Sequence, residues 1–344
     1  MRILLISPTQ SGIGGIAQHI QTLIKFLEKE GHYVETISSD NTFIIPINGL
    51  KNPSFLITAA IKAMFKRDFD IVNGHHIPSA LAMRLVPGKK ILSIHNLFSA
   101  VISSTHGKFL NSIAGRFERI AITWPDVITV VSYNACKYYE EIAAKIQTDA
   151  MNICQIPNGV DISMFTSVDR RYDKQVISVG RLASAKGTNN LIEIAGQLPS
   201  DVNLLILGAG PEEHKIRAVA ESHKNIHYLG YKKKEETIAL IRGSDILLQP
   251  SLFDETSSSI LEAMTCGTAV ITSDLNGTRE MITNNESGIL VDSGNPSGFV
   301  SAISRLLEDT EVRSKMATKA AENAKKYSWD VIGKRYIELY ESLL

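Results

Sequence analysis

The sequence predicts an α/β protein with two doubly wound domains, each containing a parallel sheet covered by helices on both faces. The chain has 344 residues, more than one hydrophobic core usually serves and enough for two domains of about 150 residues each. Short apolar runs alternate with longer segments of helical periodicity, a rhythm typical of βαβ units. This rhythm breaks at a polar stretch over residues 166–174 and then restarts.

The first half of the chain contains five apolar runs that we expect to be strands. They are separated by segments in which apolar residues recur at helical spacing. The predicted strands are 3–6, 33–37, 71–72, 90–94 and 127–131, and the predicted helices are 20–29, 54–66 and 111–121. Because strands and helices alternate, the sheet should be parallel and buried on both faces. Residues 1–165 are therefore predicted to form the N-terminal domain.

The second half repeats this alternation, with helix candidates that begin near Gly, Pro, Ser or Lys. The predicted strands are 176–179, 203–207, 226–229, 246–249, 269–272 and 288–291, and the predicted helices are 187–197, 212–222, 234–241, 259–265 and 298–307. Residues 166–328 are predicted to form the C-terminal domain. Two further helical patterns occupy residues 312–344.

Composition excludes several classes of function. The chain has 36 basic and 36 acidic residues, so its net charge gives no reason to expect a nucleic-acid partner. The three cysteines show no CxxC spacing, which argues against a disulfide framework or a structural zinc site and favours a reducing cytoplasm. No stretch of 18 uninterrupted apolar residues occurs, so we expect a soluble protein that could still lie on a membrane surface.

A glycine-rich segment follows the first predicted strand and leads directly into a helix. It covers residues 11–19 and includes Gly14 and Gly15. Glycines allow the backbone to approach a phosphate closely, and a helix N-terminus offers free N–H groups. The segment also fits the G-x-G-x-x-A pattern of dinucleotide-binding proteins, with only partial support from Glu35 and Asp40 as the acidic partner. A loop that serves only helix–strand packing remains an alternative.

Two cations lie five residues apart on one loop of the second half. Arg181 follows a predicted strand, and Lys186 precedes a predicted helix. At the carboxyl edge of a sheet, two such cations can neutralise a diphosphate leaving group, which is the work of Mg²⁺ in other enzymes. The alternative is an ordinary solvated basic loop.

A polar loop after residue 250 leads into another predicted helix. Its serines can cap the helix, whose free N–H groups can hold phosphate or sugar oxygens. Glu262 lies one turn inside the helix, where it can accept hydrogen bonds from the vicinal hydroxyls of a ribose. A capping role for this carboxylate is the alternative.

Together these motifs resemble those of family 4, or group 1, glycosyltransferases of the GT-B fold, over nearly the whole chain. The matching pieces are Gly14-Gly15 with His19, Ile94-His95-Asn96, Val131-Ser132, Ile156-Pro157-Asn158-Gly159-Val160-Asp161, Val179-Gly180-Arg181, Lys186-Gly187, Leu207-Gly208-Ala209-Gly210-Pro211, Leu229-Gly230-Tyr231 and Leu261-Glu262-Ala263-Met264. Their order and joint presence make the match specific.

The resemblance implies two Rossmann-like domains facing across a cleft, with the helix over residues 329–344 packing back on the first domain. It also implies retaining transfer of a sugar from a UDP- or GDP-sugar to a hydroxyl, without a metal ion or other cofactor. The acceptor hydroxyl would belong to a glycolipid, a growing glycan or a small molecule.

The resemblance assigns roles to individual residues. Arg181 and Lys186 would grip the diphosphate, Glu262 the ribose, and residues near Gly230-Tyr231 the base, while His95 would contact the transferred sugar. The implied donor-binding residues are Gly14, Gly15, Arg181, Lys186, Gly208, Tyr231, Asp254, Glu255, Thr256, Ser257, Ser258 and Glu262. We expect the catalytic set to be His95, Arg181, Lys186 and Asp254.

The chain departs from the family pattern at the first acidic position. This position is usually Glu, and here Asp254 is followed by Glu255, so either carboxylate could meet the transferred sugar. The sequence Glu255-Thr256-Ser257 replaces the common Gly-Phe-Gly, so the donor sugar stays open. His75 and His76 follow another strand end and are expected to line the acceptor side.

Two basic amphipathic stretches lie in the first half, at residues 59–67 and 105–119. They could dock on an anionic membrane that carries a lipid-linked acceptor, placing the protein at the inner face of the cell membrane. Ordinary surface helices with solvated lysines are the alternative.

Three other functions fit the same sequence features. They are a nucleotide-sugar epimerase, an NAD(P)-dependent oxidoreductase, and a subunit that binds a sugar nucleotide without catalysis. The ligands that stabilise the protein would separate them, because an oxidoreductase should respond to NAD(P)H and a transferase to UDP or GDP.

Overall fold

The computed structural model describes residues 1–10, 15–45, 47, 50–95, 97, 108–146, 152–161 and 167–344, with the side chains of 108–111 left aside. The chain divides into two compact units. One comprises Met1–Asn158 together with Trp329–Leu344, and the other comprises Gly159–Ser328. They are called the N-terminal and C-terminal domains below. The sequence-based boundary, between residues 165 and 166, lies slightly further along the chain.

The N-terminal domain contains a six-stranded parallel sheet in the order β2-β1-β3-β4-β5-β6. Its strands are β1 (Arg2–Ser7), β2 (Tyr33–Ser38), β3 (Ile71–His75), β4 (Lys89–Ile94), β5 (Val127–Val130) and β6 (Ile153–Gln155). Within the described residues, the helices before the last one are α1 (Gly15–Lys29), α2 (Lys51–Ala63), α3 (Ala80–Leu85), α4 (Lys108–Ala121) and α5 (Tyr133–Lys145). The central strands are buried along almost their whole length, as parallel strands between helical layers must be.

The C-terminal domain contains a second six-stranded parallel sheet in the order β12-β11-β10-β7-β8-β9. Its strands are β7 (Gln175–Val179), β8 (Asn203–Leu207), β9 (Ile226–Gly230), β10 (Ile246–Gln249), β11 (Ala269–Ser273) and β12 (Ile289–Val291). Its helices are α6 (Thr188–Ala195), α7 (Glu213–Ser222), α8 (Lys234–Arg242), α9 (Ser258–Cys266), α10 (Asn276–Met281), α11 (Pro296–Glu308) and α12 (Thr310–Ala324). Apolar clusters cover both faces of this sheet.

The last helix, α13 (Trp329–Glu341), belongs to the N-terminal domain although it follows the C-terminal domain in sequence. Trp329, Ile332, Tyr336 and Tyr340 join the core that covers β1, β3 and β4. A Cβ at Gly333 would lie 2.4 Å from the ring of Phe26 in α1, so the absent side chain permits this close packing.

Three elements of the N-terminal domain do not appear among the sequence-based predictions. β6 has only three residues at the edge of the sheet, too few for a clear pattern. Helix α3 has six residues, well below the length at which helical periodicity becomes distinct. Helix α5 has polar residues on most of its surface and begins at an N-cap, Ser132, whose hydroxyl accepts from the Ala135 N–H.

Candidate active site

The order in which strands are added to the C-terminal sheet reverses at β7. From β7 the chain continues to β8 on one side, and it later returns to place β10 on the other side. In open α/β sheets, ligands bind outside the carboxyl ends of the strands at such a switch point. Arg181 and Lys186 follow β7, and Asp254 follows β10. The topology therefore brings the two predicted cations and the predicted carboxylate to the same edge.

Close backbone contacts fix the two loops against each other. The N–H groups of Leu252 and Phe253 donate to the Ala185 carbonyl at 3.1 and 3.0 Å. Gly187 has a φ of +70°, and a Cβ there would lie 1.8 Å from the Pro250 carbonyl oxygen. Only glycine satisfies both conditions. The loop that carries Lys186 is thus held directly over the end of β10.

Lys186 and Asp254 form an ion pair at the junction of these loops. The Lys186 Nζ donates to Asp254 Oδ2 at 2.7 Å. The lysine side chain is 34% exposed and the aspartate side chain only 6%, so the carboxylate is buried beneath a cation that still reaches solvent. Ser251 Oγ donates to the same carboxylate oxygen at 3.4 Å. This arrangement keeps a positive charge available at the sheet edge.

The structure also places the other predicted donor-site residues. Arg181 is exposed, and Glu255 is buried, with its backbone against Gly277, where a Cβ would lie 2.0 Å from the Glu255 carbonyl oxygen. Thr256 and Ser257 precede α9, and Ser258 begins it. Gly208 has a φ of +140°, and a Cβ there would lie 1.8 Å from the Gly180 carbonyl oxygen. Tyr231 follows the edge strand β9 and is half exposed.

Glu262 forms a second ion pair, with a partner that sequence reasoning missed. Its side chain is buried in α9 and contacts the ammonium of Lys234 at the start of α8. Burial raises the pKa of the Glu262 carboxyl, while the charge of Lys234 opposes this shift. Lys234 ends a run of three lysines, which in sequence resembles an ordinary solvated surface and gives no signal of a buried partner.

The N-terminal domain gathers four histidines at the carboxyl edge of its sheet. His95 follows β4, His75 ends β3, His76 comes next, and His19 belongs to α1. His75 Nδ1 lies 3.0 Å from His95 Nε2. The His19 ring packs edge-on against His95 with 4.7 Å between ring centroids. The sequence predicts His95, His75 and His76 at this edge and includes His19 in the glycine-rich motif, but only the folded chain shows the His19 ring against His95.

Burial keeps the histidine cluster neutral. It lowers the pKa of His95 to about 4 and that of His76 to about 3, with the neighbouring His95 adding to the second shift. Burial likewise lowers the pKa of His19 and of His75 well below the ordinary value. His19 Nε2 lies 3.2 Å from the Tyr336 hydroxyl of α13, so the returning helix touches this cluster directly.

The glycine-rich motif and the motif that contains His95 are described only in part. Gly15 begins α1, whereas Gly14 lies outside the described residues. Asn96, part of the motif that contains His95, lies outside them as well.

Within the described part of the chain, no group of three or more His, Cys, Asp or Glu residues is arranged to hold a metal ion. Among the described helices, none is long and apolar enough to cross a membrane.

Two doubly wound domains, each with a six-stranded parallel sheet, are the architecture of GT-B glycosyltransferases. Comparison with known proteins supports this class. The model described as "Glycosyltransferase Family 4" matches residues 13–164, and the model described as "Glycosyl transferases group 1" matches residues 163–327. The chain belongs to this family of glycosyltransferases and is an enzyme of that kind.

Individual relatives agree with this assignment. A phosphatidyl-myo-inositol mannosyltransferase of Mycolicibacterium smegmatis is 24% identical over 387 residues, which cover 100% of this chain and 94% of the relative. Sucrose-phosphate synthase from Thermosynechococcus elongatus has a TM-score of 0.84 at 18% identity, covering 99% of this chain and 98% of that structure. The Anabaena protein HepE, solved with UDP-glucose, has a TM-score of 0.75 at 17% identity, covering 99% and 100%. The predicted family and GT-B fold are confirmed.

Proposed function

We propose that this glycosyltransferase moves a sugar from a UDP- or GDP-sugar to an acceptor hydroxyl, with retention at the anomeric carbon and without a metal ion. The observation that carries the proposal is the Lys186–Asp254 pair at the switch point of the C-terminal sheet. It lies where a diphosphate would be expected in this class of fold. The HepE structure with UDP-glucose supports a nucleotide-sugar donor.

The diphosphate would be held by positive charge from two sources. Lys186 and the exposed Arg181 supply full charges from one loop, and the N-terminus of α9 supplies partial charge from its free N–H groups. Transfer breaks the bond between the anomeric carbon and the phosphate oxygen, and the electron pair stays on the diphosphate. Stabilising that developing charge would be the main contribution of these groups to the rate.

The carboxylates would have different tasks. Glu262, one turn inside α9 and paired with Lys234, would accept hydrogen bonds from the ribose hydroxyls. Asp254, held by Lys186, would contact the transferred sugar, and Glu255 is the alternative for this role. In the N-terminal domain, we propose that neutral His95 meets the transferred sugar near the reacting carbon, with His75 and His76 on the acceptor side.

Ligand-dependent stabilisation tests the proposal against its alternatives. The protein should gain thermal stability with UDP or GDP, or with their sugar conjugates, and not with NAD(P)H. The stabilising sugar nucleotide should then be consumed, with release of the nucleoside diphosphate, in the wild type but not in Lys186→Ala. Lys315→Ala removes a lysine whose side chain is 75% exposed and serves as the control. Stabilisation by NAD(P)H alone would contradict the proposal.

The stereochemical part has a separate test. ¹H NMR of the glycoside formed from an α-linked donor should show an α-linked sugar. A β-linked product would mean inversion and would require a different role for Asp254. An epimerase would instead return a changed sugar nucleotide without an acceptor, and a non-catalytic subunit would bind the nucleotide and consume nothing.

We also propose that the N-terminal domain lies on an anionic membrane carrying a lipid-linked acceptor, at the inner face of the cell membrane. Ile57, Ile61, Met64 and Phe65 recur at helical spacing along α2 and just beyond it, and each is more than half exposed. Arg67 and Lys51, both exposed, lie in the same segment. Lipid acyl chains and anionic headgroups fit this combination of apolar ridge and positive charge. The mannosyltransferase relative is named for a phospholipid acceptor.

The second basic stretch has features that also fit contact with a membrane. Helix α4 exposes Ile113 and Ile120 together with Arg116 and Arg119. In the first stretch, however, Lys66 just beyond α2 pairs with Glu35, and Lys62 on α2 donates to Asn41, so these two lysines are partly engaged within the protein. We therefore expect the apolar ridge to contribute more to membrane binding than these two lysines.

Sedimentation with vesicles tests this membrane contact. Vesicles that contain phosphatidylglycerol, an anionic lipid, should carry down the wild type. Phe65→Ser combined with Ile61→Ser should remain in the supernatant while keeping turnover of a water-soluble acceptor. Leu252→Ser changes an exposed leucine of the C-terminal domain and should still bind vesicles. Equal sedimentation of all three proteins would rule out the ridge.

A further inference from the structure

A continuous hydrogen-bond chain runs beneath the proposed diphosphate site. Ser259 Oγ donates to Gln249 Oε1 at 3.2 Å, and Gln249 Nε2 donates to Ser251 Oγ at 3.0 Å. Ser251 Oγ then donates to Asp254 Oδ2, which also accepts from Lys186. All of these residues except Lys186 are buried. One glutamine therefore joins the start of α9 to the carboxylate under Lys186.

The carboxylate of Asp254 fixes which group donates and which accepts in each hydrogen bond of this series. An ionised carboxylate accepts only, so the Ser251 hydroxyl must donate to Asp254 and receive its own hydrogen bond from the Gln249 amide nitrogen. The Gln249 oxygen is then left to accept from Ser259. Ser257 Oγ lies 3.0 Å from Ser259 Oγ, and since Ser259 donates to Gln249, Ser257 donates to Ser259. The neutral amide of Gln249 meets both requirements, because its nitrogen donates to Ser251 and its oxygen accepts from Ser259.

The surrounding backbone leaves the Gln249 amide little room. Gln249 is the last residue of β10, between β7 and β11. A Cβ at Gly180 would lie 3.7 Å from Gln249 Nε2, so the amide packs against the end of β7. On the other side, the Thr272 hydroxyl donates to the backbone carbonyl of Gln249 at 3.0 Å and fixes the main chain there. The Gln249 side chain thus lies against the end of β7, where the strand order reverses.

We propose that Gln249 is a positioning residue: it sets the orientation of Asp254, and through it Lys186, relative to the N-terminus of α9. This inference rests on the proposed function. Lys186 lies on the loop after β7, and the segment that carries Asp254 leads into α9. Backbone hydrogen bonds already hold the two segments together, and Gln249 adds a side-chain link from Ser259 to Asp254. A change at Gln249 therefore alters the orientation of Asp254 and Lys186 without removing any group that would contact the donor.

The test uses Gln249→Glu, which keeps the shape and removes the donor. The glutamate cannot donate to Ser251, and it adds a second negative charge two hydrogen bonds from Asp254. We expect kcat to fall by about 10- to 100-fold, as misplacement of reacting groups by a fraction of an ångström typically causes. The donor KM should change by less than about threefold, because Lys186 and Glu262 both remain.

A matched control lies at the opposite edge of the same sheet. Gln175 begins β7, is fully buried, and donates through Nε2 to the Ser244 hydroxyl at 2.9 Å. Gln175→Glu therefore makes the same chemical change to a buried glutamine–serine pair, and we expect it to lower the melting temperature while kcat stays within about twofold of wild type. If kcat falls equally in both variants, the effect reflects general loss of stability and the proposal is wrong.

A second variant keeps the test decisive if Gln249→Glu does not fold. Ser251→Ala removes the middle link at small steric cost, and it should lower kcat in the same direction while the donor KM stays nearly constant. A folded Gln249→Glu with wild-type kcat would overturn the inference, as would wild-type kcat in Ser251→Ala should Gln249→Glu fail to fold. Failure of the proposed function would look different, since the wild type itself would consume no sugar nucleotide.

Discussion

The two domains share a sheet of six parallel strands, but the chemistry at their carboxyl edges differs. In the N-terminal domain, that edge carries four buried histidines, with the Tyr336 hydroxyl beside His19. In the C-terminal domain, it carries the buried carboxylates Asp254, Glu255 and Glu262, of which Asp254 and Glu262 each pair with a lysine. One edge is neutral and hydrogen-bonding, and the other is charged.

The difference follows from how burial acts on each kind of group. A histidine removed from water loses its charge near neutral pH, whereas a carboxylate can keep its charge if a cation is close. Lys186 and Lys234 provide such cations and remain partly exposed, at 34% and 26%. Under the proposed function, the charged edge would hold the anionic leaving group, and the neutral edge would meet the hydroxyls of a sugar or an acceptor.

The largest expected effect is the loss of a cation from the charged edge. Lys186→Ala should reduce kcat/KM by about 100- to 1,000-fold, since removing one donor aimed at developing charge has this effect in other enzymes. Arg181→Ala should act in the same direction. Steady-state kinetics with a sugar nucleotide would measure both, and circular dichroism would confirm folding. Full activity in either variant would remove that cation from the diphosphate site.

The next effect separates the two neighbouring carboxylates of the charged edge. Asp254→Asn should lower kcat by about 10- to 100-fold and change nucleotide affinity less, because contacts to the transferring sugar strengthen as positive charge develops. Glu255→Gln is the matched control, since its side chain is also buried. If Glu255→Gln were the damaging change and Asp254→Asn silent, Glu255 would be the sugar-contacting carboxylate.

A smaller effect is expected at Glu262. Glu262→Ala should raise the donor KM by about tenfold and leave kcat nearly unchanged, because ribose contacts are equal in the ground and transition states. Lys234→Ala should show the same pattern more weakly, as it removes the partner that keeps the buried Glu262 ionised. A fall in kcat at constant KM would place Glu262 at the reacting sugar instead.

The neutral edge predicts an acid-sensitive N-terminal domain. The pKa of His95 falls from 6.5 to about 4 on folding and that of His76 to about 3, so the unfolded chain holds more protons in this range. Stability is therefore complete above pH 6.5 and falls as the pH drops toward 4, by about 1.4 kcal/mol per pH unit for each histidine. Activity above pH 6.5 should not report the titration of these rings.

Urea unfolding at pH 5 and pH 7 would measure this loss. Trp124 and Trp329 are the only tryptophans and both belong to the N-terminal domain, so their fluorescence reports on that domain. His76→Asn removes this histidine ring, and circular dichroism should first confirm that the variant folds, because His76 combines a φ of +68° with a ψ of 157°, outside the left-handed helical region. The variant should lose less unfolding free energy between pH 7 and pH 5 than the wild type, by the contribution of one histidine. An unchanged slope would mean that His76 is not buried as a neutral ring.

The smallest expected effect is that of a chelator. If Lys186 and Arg181 neutralise the diphosphate, EDTA should leave the rate nearly unchanged, and added Mg²⁺ or Mn²⁺ should not increase it. The Lys186→Ala variant extends this test, because a divalent cation that partly restored its activity would occupy the place of the missing charge. Loss of wild-type activity with EDTA and recovery with metal would contradict metal independence.

The sequence by itself determined the architecture and the main charged residues. Its periodicity places eleven of the twelve strands, apart from β6. Its glycines mark the close contacts that Gly187 and Gly208 make. These features are local, since a strand, a tight turn or a helix start depends on residues near one another in the chain. The order of the motifs added the family, and it predicted roles for Arg181, Lys186 and Glu262.

Only the tertiary structure decided which groups meet. Lys186 reaches Asp254 across 68 positions of the chain, and His19 reaches Tyr336 across 317. Lys234 and Gln249 carry no distinctive motif, yet the fold places one beside Glu262 and the other between Ser251 and Ser259. Periodicity fixes the face on which a side chain lies, but its partner depends on strand order and loop packing, which involve the whole domain.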